Sequence, residues 1–173
     1  MIKKTKFKDL YIFENKSFKD NRGYFKELLK ENKIKKKFLF SVMSYSKKNV
    51  IRGLHLQRKK SQGKFVSVIK GKIFDVAVDL RKNSKTFGKY YSCILSETNS
   101  TSIYIPPGFA HGFQAIQKDN YVIYSCSQYR DKKSEISIDV NDNYLNIKWP
   151  SNKKILSKKD VNAISFSEFL KIK

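Results

Sequence analysis

The chain contains two histidines, His55 and His111, and they are its first candidates for chemistry because imidazole titrates near neutral pH. His55 lies in the stretch I-R-G-L-H-L-Q of residues 51–57, and His111 ends the stretch P-P-G-F-A-H of residues 106–111. Each follows a glycine-containing turn and leads into a strand-like run. A single histidine in such a setting is more often a hydrogen-bonded core residue than a catalytic one, so residue type alone leaves both interpretations open.

The second of these stretches resembles the second sequence motif of cupins, which are small jelly-roll barrels. In metal-binding cupins the first motif carries H-x-H, and a carboxylate completes the metal site. The corresponding triplet here is His55-Leu56-Gln57, so one ligand histidine is absent. Two histidines cannot form a three-histidine site, although an iron site of two histidines and one carboxylate stays formally open. We therefore expect no metal and no cofactor, and catalysis by side chains.

Short strand-like runs dominate the middle of the chain. Residues 65–69 and 73–80 form two such runs, and Lys70-Gly71-Lys72 between them predicts a β-hairpin. Four more runs follow, with a turn signal at Asp119-Asn120: residues 90–95, 102–105, 112–116 and 121–129. Many short strands at regular spacing are typical of a sandwich or barrel, and a jelly roll is one arrangement that protects their edges.

The two ends of the chain favour short helices. Residues 24–29 fit a helix or a strand, and residues 30–37 favour a short helix. Near the C-terminus, Ser157 is a candidate N-cap with Asp160 three residues later, the spacing of a capping box. Apolar residues then form one face of a tail helix: Phe166, Phe169 and Leu170. The predicted fold is all-β: one domain over residues 1–173, a cupin-type jelly-roll β-barrel with short N- and C-terminal helices.

Charge limits the functional classes. The chain carries 37 lysines and arginines against 15 acidic residues, a formal charge of +22. Lysine is spread along the chain and clusters at residues 33–37, without zinc-finger spacing or an RNP-like motif, so we expect no nucleic-acid partner. A positive cleft that attracts a phosphate-bearing small molecule is a better use of this charge.

Hydrophobic patterning bears on membranes and thiols. No apolar run approaches the roughly 20 residues of a membrane span, and no apolar segment follows the basic N-terminus. We therefore expect a cytoplasmic protein without a membrane partner. The two cysteines, Cys93 and Cys126, lie in apolar strand-like runs and lack the spacing of a zinc site or a redox pair. This is typical of small buried hydrophobic residues.

Nine stretches, in order along the chain, carry a more specific resemblance. They are D-N-R-G-Y-F-K-E (20–27), K-N-V-I-R-G-L-H-L-Q (48–57), Q-G-K-F-V (62–66), F-D-V-A-V-D-L-R (74–81), T-F-G (86–88), I-P-P-G-F-A-H-G-F (105–113), N-D (141–142), I-K-W-P (147–150) and L-S-K-K-D (156–160). Through them the chain resembles the dTDP-4-dehydrorhamnose 3,5-epimerase family over nearly its whole length. The R-G-L-H and P-P-G-F-A-H-G-F elements are long enough to make the match specific.

The chemistry of such a family determines which groups it needs. In a 4-keto sugar, C3 and C5 both adjoin the carbonyl group, so loss of a proton from either carbon leaves an enolate. Epimerisation then needs a base on one face of the sugar, a proton donor on the other, and a group that stabilises the oxyanion. Histidine suits the base, and a carboxylate bonded to its second nitrogen orients it.

The resemblance implies which residues perform these tasks. It implies four catalytic residues: His55 as the base, Asp160 as its orienting carboxylate, Lys64 as the cation near the C4 oxygen, and Tyr124 as the proton donor on the opposite face. It implies five residues around the substrate: Arg52 at the diphosphate, His111 as a second histidine, Gln57, and Arg22 and Glu27 at the nucleotide, from this chain or a neighbouring subunit. Because the family is dimeric, we expect a homodimer.

Two departures from the family pattern concern the walls of the site. Residues 38–45 read F-L-F-S-V-M-S-Y, apolar where the family usually carries a glutamine and an asparagine, and Arg130 stands where a second tyrosine often follows. Loss of such polar groups changes which ligand a site prefers more than which reaction it performs. We therefore expect the preferred ligand to have shifted from a dTDP-linked hexose toward a GDP-linked 4-keto-6-deoxyheptose of capsule or O-antigen synthesis.

The predicted function is epimerisation of a nucleotide-diphospho-4-keto-6-deoxy sugar at C3, C5 or both. A related cupin isomerase that moves the ketone from C4 to C3 of the same substrate is a second hypothesis, because it uses similar histidines. A sugar-binding cupin without turnover is a third. The set of His55, Lys64, Tyr124 and Asp160 argues against the third, since a binding module needs no base opposite an acid.

Overall fold

The computed structural model describes residues 1–172. Within that range the strands are β1 (Ile2–Lys4), β2 (Tyr11–Glu14), β3 (Ser17–Asp20), β4 (Gly23–Lys26), β5 (Phe40–Lys47), β6 (Ile51–Gln57), β7 (Lys64–Lys70), β8 (Lys72–Asp79), β9 (Tyr90–Ser96), β10 (Thr101–Ile105), β11 (Phe109–Ala115), β12 (Asp119–Cys126) and β13 (Glu135–Ser137). The helices are α1 (Glu31–Ile34), α2 (Lys158–Val161) and α3 (Phe166–Lys171). The predicted all-β fold with short helices is confirmed.

Two antiparallel sheets form a jelly roll of the cupin type. The front sheet has six strands in the order β1-β2-β10-β7-β12-β5, and the back sheet has five in the order β13-β6-β11-β8-β9. The hairpin of β3 and β4 stands apart as a two-stranded sheet. Within residues 1–172 no strand is shared by both large sheets, so the roll is open at its sides rather than a continuously bonded barrel.

The main hydrophobic core lies between the two sheets, where Val66 and Val122 of the front sheet belong to one cluster with Phe113 of the back sheet. A second cluster covers the outer face of the back sheet with residues from the C-terminal segment: Ile138, Val140, Leu145 and Phe166. The back sheet is therefore buried on both faces. This explains why apolar residues in the run 73–80 do not alternate with polar ones and are interrupted only by Asp75 and Asp79.

The predicted hairpin between residues 65–69 and 73–80 is wrong, although both strands exist. β7 pairs with β10 and β12 in the front sheet, whereas β8 pairs with β11 and β9 in the back sheet. Gly71, at φ +88°, turns the chain from one sheet to the other, and a Cβ atom there would lie 2.3 Å from the carbonyl oxygen of Asp119. The sequence marks this turn, but it does not reveal that β10 and β12 occupy the edges of β7, or that β11 and β9 occupy those of β8.

The structure also resolves the segments whose prediction was ambiguous. Residues 23–26 form β4 rather than a helix, and the helix predicted for residues 30–37 is limited to α1. Asp119 and Asn120 begin β12 instead of forming a turn. The side chain of Asn120 is buried and bonds to the backbone of three other segments, so this turn-forming residue type serves here to join strand ends.

The C-terminal segment follows its prediction closely. Ser157 caps α2, because its side chain accepts a hydrogen bond from the backbone nitrogen of Asp160. In α3, Phe166 is buried and Phe169 packs against the same cluster, but Leu170 is 52% exposed. The apolar face of the tail helix is therefore narrower than predicted.

Two further expectations concerned the packing of the cysteines and the absence of a membrane span. Cys126 is buried and Cys93 is partly buried, and both are free, which confirms that they pack as small apolar residues. Within residues 1–172, every helix is too short or too polar to cross a membrane.

Candidate active site

An open cleft of about 730 Å³ lies between the inner faces of the two sheets. Seven of the predicted site residues line it: Arg52, His55, Gln57, Lys64, His111, Tyr124 and Asp160. Residues from four strands and one helix thus converge on one space, as the predicted roles require.

The two sheets bring different side chains into the cleft. On the back sheet, His55 of β6 and His111 of β11 are directly paired on neighbouring strands. On the front sheet, Lys64 of β7 pairs with Cys126 of β12, and Tyr124 lies two residues before Cys126 and so shares its face. A molecule in the cleft therefore has the histidines on one side and the lysine and the tyrosine on the other.

A β-bulge explains why Arg52 and His55 share the cleft although they are three residues apart, a spacing that places side chains on opposite faces of a regular strand. Between β6 and β11 the register slips, since His55 pairs with His111 but Arg52 pairs with Phe113. Gly53 lies at φ +130°, where a Cβ atom would come within 2.4 Å of the backbone of β11. The R-G-L-H motif is thus a bulge that turns its first and last residues to one face.

His55 is held by Asp160. Nε2 of His55 lies 2.6 Å from Oδ1 of Asp160, whose other carboxylate oxygen accepts a hydrogen bond from the Ser157 hydroxyl. Burial raises the pKa of Asp160, but the hydrogen bonds of His55 and Ser157 and the charge of His55 outweigh burial, so the pKa lies below its ordinary value. The ionised carboxylate fixes one ring nitrogen of His55, and the other nitrogen is the one that can act as a base.

A second histidine–carboxylate pair lies beside the first. Nε2 of His111 is 2.8 Å from Oδ2 of Asp75, and both side chains are buried. The other oxygen of Asp75 has no hydrogen-bond partner within the described residues. Asp75 was not among the predicted site residues. Its signal in the sequence is an acidic residue within the apolar run 73–80. Ile73 and Ala77, which share a strand face with Asp75, both belong to the core between the sheets.

The two pairs do not combine into a metal centre. Each histidine contacts its own carboxylate, on opposite sides of the β6–β11 pairing. Throughout the described part of the chain, no group of three or more histidine, cysteine, aspartate or glutamate side chains is placed to hold a metal ion.

Burial shifts the pKa values of the two front-sheet groups in opposite directions. It lowers the pKa of Lys64, and nearby groups that can carry negative charge oppose the shift. It raises the pKa of Tyr124 well above its ordinary value, whereas a hydrogen bond with Ser44, at 2.9 Å between the two hydroxyl oxygens, acts the other way. Tyr124 therefore stays protonated at neutral pH, as a proton donor must.

Arg52 and Gln57 line the cleft with anchored side chains. Arg52 donates from Nε to the Ser46 hydroxyl at 2.9 Å and from a terminal nitrogen to the Tyr45 carbonyl at 2.7 Å. These bonds hold its guanidinium in one orientation. Gln57 uses both ends of its amide on nearby loops, since it donates to two backbone carbonyls and accepts from one backbone nitrogen. Its contribution to ligand binding stays a prediction.

The front wall of the cleft carries the first departure from the family pattern. Strand β5 turns Phe40, Val42 and Ser44 toward the cleft, because alternate residues of a strand share a face. Phe40 stacks on Tyr129, with ring centroids 5.4 Å apart. The apolar character of residues 38–45 thus falls on positions that face a ligand.

Arg130, the second departure, lies at the rim in a cluster of ion pairs. It contacts Glu135 at 2.8 Å, and Glu135 also contacts Lys159 at 2.8 Å. All three side chains line the cleft, together with Arg52 and Lys64. The cationic side chains outnumber the anionic ones along this wall, which suits a diphosphate-bearing ligand.

Arg22 and Glu27 lie away from the cleft of their own chain. Arg22 is at the turn of the β3–β4 hairpin, with its side chain 85% exposed and bonded to Asp20. Glu27 contacts Lys30 at 2.5 Å. Their predicted contact with a nucleotide therefore requires the cleft of a second subunit.

The fold and the site define a class of protein, namely a cupin-type jelly roll whose cleft carries titratable groups on both walls. The sequence matches the model of the dTDP-4-dehydrorhamnose 3,5-epimerase family over residues 4–168. The chain belongs to this family, and it is therefore an isomerase. The resemblance found in the sequence motifs is confirmed.

Individual relatives agree with the family match. The dTDP-4-dehydrorhamnose 3,5-epimerase of Shigella flexneri is 41% identical over 170 residues, which cover 94% of each chain. The crystal structure of the enzyme of that name from Elizabethkingia anophelis superposes with a TM-score of 0.90 at 44% identity, over 97% of each chain. The dTDP-6-deoxy-D-glucose-3,5-epimerase from Legionella pneumophila, solved in complex with dTDP-4-keto-L-rhamnose, has a TM-score of 0.91 at 40% identity, over 95% of this chain and 92% of its own.

Proposed function

We propose that this protein epimerises a dTDP-linked 4-keto-6-deoxy sugar at C3 and C5 through an enolate. The observation that carries the proposal is the division of the cleft, with the His55–Asp160 pair on one wall and Lys64 and Tyr124 on the other. Inversion requires that a proton leave one face of a carbon and another arrive on the opposite face. The family match and the dTDP sugar bound to the Legionella relative support this substrate class.

In the first step, His55 removes the proton next to the carbonyl group. The C–H bond breaks, its electrons pass into the enolate, and the imidazole takes the proton. Asp160 stabilises the resulting imidazolium, because its carboxylate already contacts the other ring nitrogen. Lys64 stabilises the negative charge that develops on the C4 oxygen, in a cleft where partial burial strengthens the interaction.

In the second step, Tyr124 gives its proton to the opposite face of the same carbon. Its high pKa keeps the proton in place until the enolate forms. His111 does not act as the base in this scheme, because Asp75 holds it in a buried pair. It supports the wall on which the sugar lies, and Arg52 binds the diphosphate.

A second candidate substrate is a GDP-linked 4-keto-6-deoxyheptose of capsule or O-antigen synthesis. The observation that favours it is the apolar wall of Phe40 and Val42, which differs from the family pattern at ligand-facing positions. The same chemistry applies to both sugars, since each carries acidic C–H bonds beside a C4 ketone. Comparison of kcat/KM for the two substrates under one set of conditions decides between them.

We further infer that two copies form a homodimer through the β3–β4 hairpin. Phe18, Tyr24 and Phe25 leave more than half of their side-chain surface exposed there, which is unusual for an isolated chain. Arg22 at the hairpin turn then reaches the partner's cleft, and the dimer works in the cytoplasm on a small-molecule substrate without nucleic acid. Light scattering measures the oligomeric state. Phe25→Ser is expected to halve the molecular mass of the native protein, and a monomeric mass for both the native protein and the variant would contradict the inference.

Isotope exchange tests the reaction itself. The protein is incubated in deuterated water with dTDP-4-keto-6-deoxyglucose, and the C3 and C5 signals are followed by NMR. We expect deuterium at both carbons and inversion of both. Absence of uptake would overturn the proposal, and a product with its ketone at C3 would show a ketoisomerase instead.

A further inference from the structure

Ser44 makes a contact with the proton donor that the family motifs do not indicate. Its hydroxyl oxygen lies 2.9 Å from the hydroxyl oxygen of Tyr124, and both residues line the cleft. Ser44 lies on β5, the edge strand of the front sheet, where it pairs with Val122 of β12. The contact with Tyr124 is therefore a diagonal one, two residues along the neighbouring strand, which a long aromatic side chain can span.

The proposed reaction creates a specific need at this position. When Tyr124 protonates the enolate carbon, its O–H bond breaks, a C–H bond forms, and a phenolate remains in a largely buried place. Burial disfavours the charged form, as the raised pKa of Tyr124 shows, and the hydrogen bond with Ser44 is the largest effect in the opposite direction. A hydroxyl that can turn its proton toward the phenolate oxygen therefore lowers the barrier to proton delivery.

We propose that Ser44 is a positioning residue for the proton-donating step, one that aims the hydroxyl of Tyr124 and donates a hydrogen bond to the phenolate that this step leaves. The proposal rests on the proposed role of Tyr124. Before the step, Ser44 accepts or shares the phenol proton; after it, Ser44 donates. Solvent reaches Ser44, which is partly exposed, and supplies the proton that the phenolate regains. His55 returns its own proton to solvent, and this closes the cycle.

The simpler alternative is that Ser44 only joins the edge strand to its neighbour. The chain offers a matched control for this alternative. Ser41 and Ser125 form another hydroxyl pair between the same strands β5 and β12, also at 2.9 Å, and neither lines the cleft. If joining the strands were the whole effect, removal of either β5 serine would act alike.

The experiment compares Ser44→Ala, Ser44→Thr and Ser41→Ala in deuterated water with dTDP-4-keto-6-deoxyglucose. Deuterium exchange reports the base, and net inversion reports the donor. We expect Ser44→Ala to slow inversion about tenfold, as befits one lost hydrogen bond to a charged group, while exchange stays within about twofold of the native rate. Ser44→Thr keeps the hydroxyl and restores most of the inversion, and Ser41→Ala matches the native protein in both rates.

Three outcomes overturn the proposal: inversion by Ser44→Ala equal to that of Ser41→Ala, equal losses of exchange and inversion, or no rescue by threonine. If Ser44→Ala fails to fold by circular dichroism, Ser44→Cys, with a weaker donor of similar size, takes its place and must show the same selective loss. Tyr124→Phe, run in parallel, separates this proposal from the proposed function. If Tyr124→Phe inverts at the normal rate, both the proposed function of Tyr124 and the role of Ser44 are overturned. If Tyr124→Phe loses inversion while Ser44→Ala inverts at the native rate, only the role of Ser44 is overturned.

Discussion

His55 and Asp160 are 105 residues apart in the sequence, and the 2.6 Å contact between Nε2 and Oδ1 joins the strand β6 to the helix α2. The cap residue Ser157 holds both the helix start and the carboxylate, since it bonds to the backbone nitrogen and to Oδ2 of Asp160. The C-terminal segment thus forms part of the cleft, and its attachment to the back sheet fixes the orientation of the proposed base.

Replacement of the proposed base is expected to stop the reaction at its first step. His55→Asn should reduce exchange at both C3 and C5 by about 10²–10⁴-fold, the usual effect of losing a general base. His111 cannot substitute, because it is buried in its own pair with Asp75. Exchange is measured by NMR in deuterated water, with circular dichroism as the control for folding. Near-native exchange in this variant would rule out His55 as the base.

Replacement of the proposed proton donor is expected to separate the rate of proton exchange from the rate of inversion. Tyr124→Phe removes the hydroxyl but keeps the ring, which packs near His111 and Phe113. A base alone can remove and return a proton on its own face, so exchange should persist while net inversion falls by about 10²-fold or more. Both rates come from one deuterated reaction. If inversion and exchange fell together, the donor would have to be a different group.

Lys64 is expected to set the alkaline limit of activity. Its pKa is lowered by burial, so the ammonium form is lost as pH rises through a value below the ordinary 10.5. Tyr124, whose pKa is raised, remains protonated over the same range. In Lys64→Arg, kcat/KM should be lower at neutral pH but should lose this alkaline decline, because guanidinium does not titrate there. An unchanged alkaline limb in the variant would assign that limb to another group.

Asp79 is expected to stabilise the fold in an acid-sensitive way. It is buried, and although burial raises its pKa, hydrogen bonds from Arg81, Ser84 and Thr86 outweigh this and lower the pKa to about 2. Because the folded pKa lies below the unfolded one, the stabilisation is complete above about pH 4 and is lost as pH falls from about 4 to 2. Asp79→Asn should lower the free energy of unfolding by about 2 kcal/mol at pH 7 and flatten its acid dependence.

Urea unfolding at several pH values measures this effect, and the β3–β4 hairpin provides the control. Asp20 bonds to Arg22 with the same two-residue spacing as Asp79 to Arg81, but on the exposed surface. Asp20→Asn is expected to leave the unfolding free energy within experimental error. Equal losses in the two variants would show that burial of Asp79 is not the cause.

The apolar wall is expected to control substrate preference. Phe40→Gln with Val42→Asn restores polar groups at two ligand-facing positions, and it should raise kcat/KM for the dTDP sugar relative to the GDP heptose by about tenfold or more. Ser41→Asn, on the same strand but outside the cleft, is the control and should leave the ratio unchanged. No change in the double variant would mean that this wall does not select the nucleotide sugar.

The resemblance of short motifs to a family implies the roles of the site residues, whereas local pattern predicts the strands in the middle of the chain. It predicts that residues 65–69 and 73–80 are strands, but not that they lie in opposite sheets, since that depends on pairing with strands far along the chain. Arg52 and His55 were predicted together from a motif, whereas the bulge at Gly53 that turns them to one face is visible only in the register with β11.

Asp75 and Ser44 were not predicted as site residues, because their contacts with cleft residues also depend on strands that are distant in the sequence. Each of them contacts a cleft residue on another strand, and nothing beside it in the sequence points to that partner. The acidic residue within an apolar run gives Asp75 a recognisable signal. Ser44 gives none, because a serine on an edge strand is ordinary.

The corner at Gly71 has a consequence for how the protein acquires activity. Since β7 and β8 leave this corner into different sheets, they cannot pair with each other. Apart from β9, which pairs with β8, their partners lie far along the chain, so both sheets must close long loops to assemble. Such a topology has a high contact order and is expected to fold slowly. The proposed base and the proposed donor then meet only once both sheets are complete. Catalytic competence should therefore appear together with the last cooperative folding event, and a nascent chain should be inert until its final helices have emerged.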